Sequence, residues 1–100
     1  MARKHIKLLA GVTGTGAGSS FDITSLDTFS LFYESNTVTS GATVVIQVDD
    51  MDGNWHILDS QTVSADGLIF VQKTGAFINI RANVTAYTDG THTVSIVGIS

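Results

Sequence analysis

Asp49, Asp50, Asp52 and Asn54 place four hard oxygen donors within the six residues Asp-Asp-Met-Asp-Gly-Asn, and an oxygen-rich loop is what a calcium ion selects. The spacing is not that of an EF-hand, which needs a glycine at the sixth loop position and a glutamate at the twelfth. Asp, Gly and Asn are also what a tight turn demands, so a plain hairpin turn is the preferred reading and the cation the alternative. The run Thr13-Gly14-Thr15-Gly16-Ala17-Gly18 follows an apolar stretch as a phosphate-binding turn would. A phosphate cradle must open a helix, however, and here Ser19-Ser20-Phe21-Asp22 leads into a strand with no following lysine. His5, His56 and His92 lack any spacing that would bring two nitrogens to one metal, and no serine nucleophile elbow is present. No pair of groups with opposed environments suggests acid–base work. The expectation is a protein that is not an enzyme and takes no cofactor. Asn83-Val84-Thr85 matches the glycosylation acceptor pattern, which carries no weight without a secretion signal.

The elements around these residues read as strands. From Thr43 to Thr62 two β-branched runs flank the Asp52-Gly53 turn, a strong hairpin signal. Val44, Ile46 and Val48 share one face of its first strand. Trp55 opens the second and is expected to anchor the core, where truncating it would cost roughly 3–5 kcal/mol. Asp27 to Tyr33 alternates, with Phe29, Leu31 and Tyr33 on one side. Phe77 to Tyr87 is expected to turn Ile78, Ile80, Ala82 and Val84 inward and Phe77, Asn79, Arg81 and Asn83 outward. Thr93 to Ile99 closes the chain, with Val97 facing outward beside Ile96. Asp66-Gly67 and Asp89-Gly90 mark further turns. Seven or eight strands, with turn signals every 8–12 residues or so, predict an all-β antiparallel sandwich, jelly-roll-like or immunoglobulin-like, with no helix.

At the N-terminus, Lys4 to Ala10 reads as a first strand or an extended arm; the preferred expectation is an arm, Ala2 to Ala10, that takes its order from a partner ahead of a Gly-rich hinge. The organisation is then residues 1–20 as arm and hinge and residues 21–100 as sandwich domain.

The totals agree with one small domain. The chain has 100 residues, a charged fraction of 14% and a net charge of −4, where about 25% charged is usual. Thirteen Thr and ten Ser cover the surface instead. Arg3, Lys4 and Lys7 are three of the five basic residues, and the chain beyond Lys7 carries −7, which argues against a nucleic-acid-binding face. Without Cys there is no disulfide framework. No signal peptide and no membrane span of about 20 apolar residues is read. Of the eight aromatic residues, Phe32, Phe70, Phe77 and Tyr87 cannot all share the inner face with Phe29, Tyr33 and Trp55. Either the strand ends and a second core layer absorb the rest, or those left outside would stack on sugar rings or pack against another subunit.

The runs Val48-Asp49-Asp50-Met51-Asp52-Gly53-Asn54-Trp55, Gly75 to Arg81 and Val84 to Val94 resemble small β-sandwich structural proteins of tailed bacteriophage particles, over roughly Phe21 to the C-terminus. The resemblance implies a non-enzymatic virion subunit, most readily a capsid decoration or cement protein. Its partners would be the major capsid or other virion proteins, and by analogy with phage decoration proteins it would form a homo-oligomer, a trimer first. The residues expected to make those contacts are Arg3, Lys4, Ile6, Lys7 and Leu8 of the arm and Phe77 of the sandwich. The alternative is a carbohydrate-binding sandwich that uses Trp55 or Tyr87 as a stacking platform, since similar Asp-Gly-x-Trp hairpins occur there.

Overall fold

Alternation of period two is carried directly into the burial of the strands. In the computed structural model, which describes residues 3–24, 26, 28–75 and 77–99, Phe29, Leu31, Tyr33 and Ser35 are buried while Thr28, Ser30 and Phe32 between them are half-buried. Ala2 and Asp27, expected to open the arm and the strand through Tyr33, lie outside the described residues. Nine strands are assigned among them: β1 Arg3–Val12, β2 Gly16–Ala17, β3 Phe21–Asp22, β4 Thr28–Asn36, β5 Ala42–Asp49, β6 Trp55–Val63, β7 Gly67–Thr74, β8 Asn79–Tyr87 and β9 Thr91–Ile99.

They form two sheets. The first has the order β1-β9-β4-β7, and the second runs β2-β8-β5-β6 with β3 also paired to β8. Every pairing is antiparallel. Because β2 and β3 lie successively along β8, they act as one interrupted strand. The pairing is then nested, with β5 on β6, β4 on β7, β2 and β3 on β8, and β1 on β9, which is the winding of a jelly roll. Asp52-Gly53 closes the hairpin within a sheet, as expected. Asp66-Gly67 and Asp89-Gly90 instead make corners at which the chain changes sheet.

The core lies between the sheets. Leu31, Val94 and Ile96 from the first meet Val44, Ile46, Ile80, Ala82 and Val84 from the second, and Ile23 and Leu26 close one end. All of these are at most 3% exposed.

Three expectations are corrected. The N-terminal segment is not an arm. β1 pairs with β9 from Arg3↔Ile99 to Val12↔His92, and Ile6, Leu8 and Leu9 belong to the core. Its register slips by one residue between Lys7 and Leu9, so a bulge turns two consecutive leucines inward. The supposed hinge is also part of the sandwich: Gly16 and Ala17 pair with Val84 and Asn83, and the Gly18 N–H donates to the Ala82 carbonyl at 2.8 Å. A Cβ on Gly18 would lie 2.7 Å from the Leu8 carbonyl oxygen, so this glycine serves close approach of backbones rather than flexibility. The proposed boundary at residue 20 therefore falls inside one packed unit.

Second, Trp55 is not a core anchor. It pairs with Asp49, and residues directly opposite share a face. With Val44, Ile46 and Val48 inward, Asp49 and Trp55 must face outward. Third, Phe77 does not stand free. It is half-buried and meets Phe29 edge to face, with ring centroids 6.2 Å apart, whereas Ile78, expected inward, precedes β8 and is exposed.

Candidate interaction surface

β6 and β7 each have one neighbour in their sheets, so both free edges lie on one flank of the sandwich. Leu68, Ile69 and Phe70 are 56%, 36% and 70% exposed, and Ile57 of β6 is 64% exposed. Phe70 pairs with Phe32 across β4 and β7, their rings 6.1 Å apart and tilted by 30°. Leu68 shares that outer face. Unpaired strand edges and contiguous exposed apolar side chains both mark contact sites.

A polar clasp joins the two sheets along this flank. β6 slips by one residue between its pairings with Ile46 and Gln47, and the bulge at Leu58 turns Asp59 toward the interior. Asp59 Oδ2 accepts hydrogen bonds from the Tyr33 hydroxyl at 2.5 Å and from Gln61 Nε2 at 3.2 Å. Lys73 Nζ lies 3.5 Å from Oδ1. Burial, and then the hydrogen bond to and charge of Asp59, hold the Tyr33 hydroxyl far above the ordinary tyrosine range.

The four oxygen donors of the hairpin share a turn, but they do not converge. Asp50 Oδ1 accepts the Asp52 and Asn54 backbone N–H groups at 2.8 and 3.3 Å, and its Oδ2 lies 2.8 Å from His56 Nε2. The His56 contact first, then the backbone donors, hold the Asp50 carboxyl well below the usual range. Asp49 Oδ2 accepts from Asn79 Nδ2 at 3.0 Å, while its buried Oδ1 has no partner among the described residues. Among those residues no group of three His, Cys, Asp or Glu side chains could hold a metal ion. The backbone bonds accepted by Asp50 are those of a turn.

Trp55 and Tyr87 do not form one platform. Trp55 is half-buried on the outer face of the second sheet, with the Arg81 guanidinium 4.2 Å from its ring centroid. Arg81 Nε also donates to Gln47 Oε1 at 2.8 Å. Tyr87 pairs with inward-facing Ala42, and its hydroxyl donates to the Gly90 carbonyl at 2.8 Å. Of the remaining expected contact residues, Ile6 and Leu8 are buried and Lys7 is exposed on β1. Arg3 and Lys4 are placed here by backbone alone, as the first residues of that strand.

Sequence reasoning missed a buried Ser35–His92 pair. The two residues lie opposite each other on β4 and β9 and are 3% and 1% exposed. Ser35 Oγ is 2.9 Å from His92 Nδ1, and His92 Nε2 is 3.1 Å from the Asp89 carbonyl oxygen. A carbonyl can only accept, so Nε2 donates to it, and the Ser35 hydroxyl, which can donate or accept, partners Nδ1. The signal was available in parity, since Ser35 continues the inward row of Phe29, Leu31 and Tyr33. The adjacent Asp89 carboxylate accepts the Thr39, Ser40 and Gly41 N–H groups, with Gly41 at 2.8 Å. These bonds, that to Gly41 foremost, hold its pKa below the usual range.

No family model and no curated protein matches this sequence. Solved structures do share its fold. The SPBc2 prophage-derived protein YomS is 11% identical, with a TM-score of 0.79 over 99% of this chain and 94% of that one. The infectious bursal disease virus VP2 subviral particle protein is 12% identical, with a TM-score of 0.58 over 98% of this chain and 32% of that one. A Bacillus endospore appendage pilus protein is 15% identical, with a TM-score of 0.52 over 99% of this chain and 88% of that one. At these identities the likeness is one of fold.

Proposed function

We propose that this chain is a non-enzymatic structural subunit of a bacteriophage particle, a capsid decoration or cement protein held by protein contacts in the virion. The observation that carries this reading is the free β7 edge, with Leu68 and Phe70 exposed on its outer face and Ile69 on its inner face, a surface suited to another protein. The end-to-end fold likeness to a prophage-derived protein and the low share of charged residues support it. The attachment surface is the β6–β7 flank rather than an N-terminal arm, because Ile6 and Leu8 are held in the core.

Mass spectrometry of purified particles from the source that encodes the chain is the test. Stoichiometric recovery in particles is expected; a chain found only in the soluble lysate refutes the reading. A second reading, carbohydrate binding, draws on Trp55 beside Arg81, Gln47, Asp49 and Asn79 on the outer face of the second sheet. Selective binding on a glycan array, abolished by Trp55→Ala in a folded protein, would favour it.

A further inference from the structure

We propose that two copies of this chain pair antiparallel along β7, edge to edge about a two-fold axis at Ile69, and merge their four-stranded sheets into one eight-stranded sheet. This names a partner for the surface on which the proposed function rests.

Natural sheet edges are protected from such pairing by bulges, charges or proline. Two of the free edges here carry these devices. β6 is bulged at Leu58 and carries Asp59, while β1 has two register shifts and a basic composition. β7 has neither. Its ladder with β4 runs through eight consecutive pairs, Thr28↔Thr74 to Ser35↔Gly67, without a shift. The chain contains no proline, and the one charged residue of β7, Lys73, is drawn inward to Asp59. This edge is eight residues long, unbulged against β4, and apolar at its exposed positions from Leu68 to Phe70, with the polar Gln72 and Thr74 exposed toward its other end.

The side-chain pattern is self-complementary in one register. A two-fold axis perpendicular to the sheet keeps inner faces with inner faces, so residues of equal parity must meet. Centring on Ile69 places Leu68 opposite the partner copy's Phe70, Phe70 opposite the partner copy's Leu68, and Ile69 opposite itself. Every strongly exposed apolar residue of β7 then meets another. Centring on Val71 would set Phe70 against Gln72 and Ile69 against Lys73. With Phe32 beside Phe70, the outer face of the joint becomes a continuous apolar band across both copies. From their fractional exposures, Leu68, Ile69 and Phe70 offer roughly 300 Å² per copy, over a third of the ~800 Å² each partner brings to a stable interface, before backbone and flanking residues are added.

Light scattering and sedimentation on the purified full chain read the assembly, and circular dichroism monitors folding. A dimer is expected, weakened by about tenfold or more in Phe70→Lys with the fold retained. Register is read by Ile69→Cys, the sole thiol in the variant. Directly opposite Cβ atoms lie about 4.5–5.5 Å apart, close to what a disulfide bridges, so mild oxidation should give a covalent dimer, whereas Val71→Cys should not. A monomer at several hundred micromolar, a trimer, a dimer indifferent to Phe70→Lys, or cross-linking at Val71→Cys in place of Ile69→Cys overturns the proposal. A monomer that still enters particles overturns the pairing and leaves the proposed function standing; a dimer absent from particles does the reverse.

Discussion

Deleting residues 1–10 removes most of β1, including three core side chains, Ile6, Leu8 and Leu9, which are 9%, 3% and 5% exposed. Burying each contributes about 1.5–3 kcal/mol, so the loss is on the order of 5–9 kcal/mol, comparable with the whole stability of about 5–15 kcal/mol of a typical domain. The deletion also strips β9 of one neighbour along its length and uncovers the Val94 and Ile96 side of the core. The truncated chain should be unfolded at 25 °C by far-ultraviolet circular dichroism. A milder probe gives the magnitude. Leu8→Ala should cost about 2–5 kcal/mol in urea denaturation, lowering Tm by about 8 °C or more at about 4–8 °C per kcal/mol. Lys7→Ala, at an exposed neighbouring position, should stay within about 0.5 kcal/mol of the parent. A folded truncation, or a Leu8→Ala variant as stable as Lys7→Ala, would refute the placement of β1 in the core.

Gly41→Ala should cost about 3 kcal/mol or more by urea denaturation, because φ is +101° there and the added Cβ would fall 1.6 Å from the Val63 carbonyl oxygen. Asp50 and Asp89 have carboxyls depressed in the folded state. Their contribution is therefore present above the unfolded pKa of about 3.9 and is lost as pH falls through the lower folded values. The melting temperature should hold down to about pH 4 and decline below it, and Asp89→Asn should flatten that decline. Tyr33→Phe should destabilise by about 1.5–3 kcal/mol through loss of a hydrogen bond to a charged partner. In an alkaline absorbance titration the Tyr33 phenol should stay protonated until the protein unfolds, the sign expected of burial beside Asp59.

The hairpin at Asp52-Gly53, the inward rows of β4 and β5, and the all-β sandwich class were legible because short-range alternation and turn chemistry encode them. What escaped depends on register. Lys4 to Leu9 reads as detachable when a Gly-rich run follows it, and only a one-residue bulge, a property of pairing with β9, explains how Leu8 and Leu9 both face inward. Trp55 was misplaced although the inward parity of Val48 already sent Asp49, and with it the residue opposite, to the outside. The β7 edge was invisible, since Leu68-Ile69-Phe70 reads as ordinary strand until the topology leaves it without a second neighbour. Ser35 and His92 each have the inward parity of their strands, but that they meet and serve as each other's polar partner shows only when β4 and β9 are laid side by side.

The nested pairing also governs how the chain comes together in time. The β5–β6 hairpin closes over the five residues 50–54 at its tip, so it is the cheapest pair to form. Once it exists, the ends of β4 and β7 are held near each other, and their pairing shortens the effective loop for β3 with β8. The last pair, β1 with β9, joins the first and last strands of the sandwich. Such non-local order places folding toward the slow, millisecond-to-second range, although with no proline in the chain there is no X–Pro isomerisation to add a later phase. On the ribosome, β1 emerges before β9 and waits for it while the seven strands between them are made. A prematurely terminated product lacks β9 and leaves Leu8, Leu9 and Leu31 without their cover. Only a chain that includes β9 can complete the sandwich, which bars products lacking it from any assembly that recognises the finished surface.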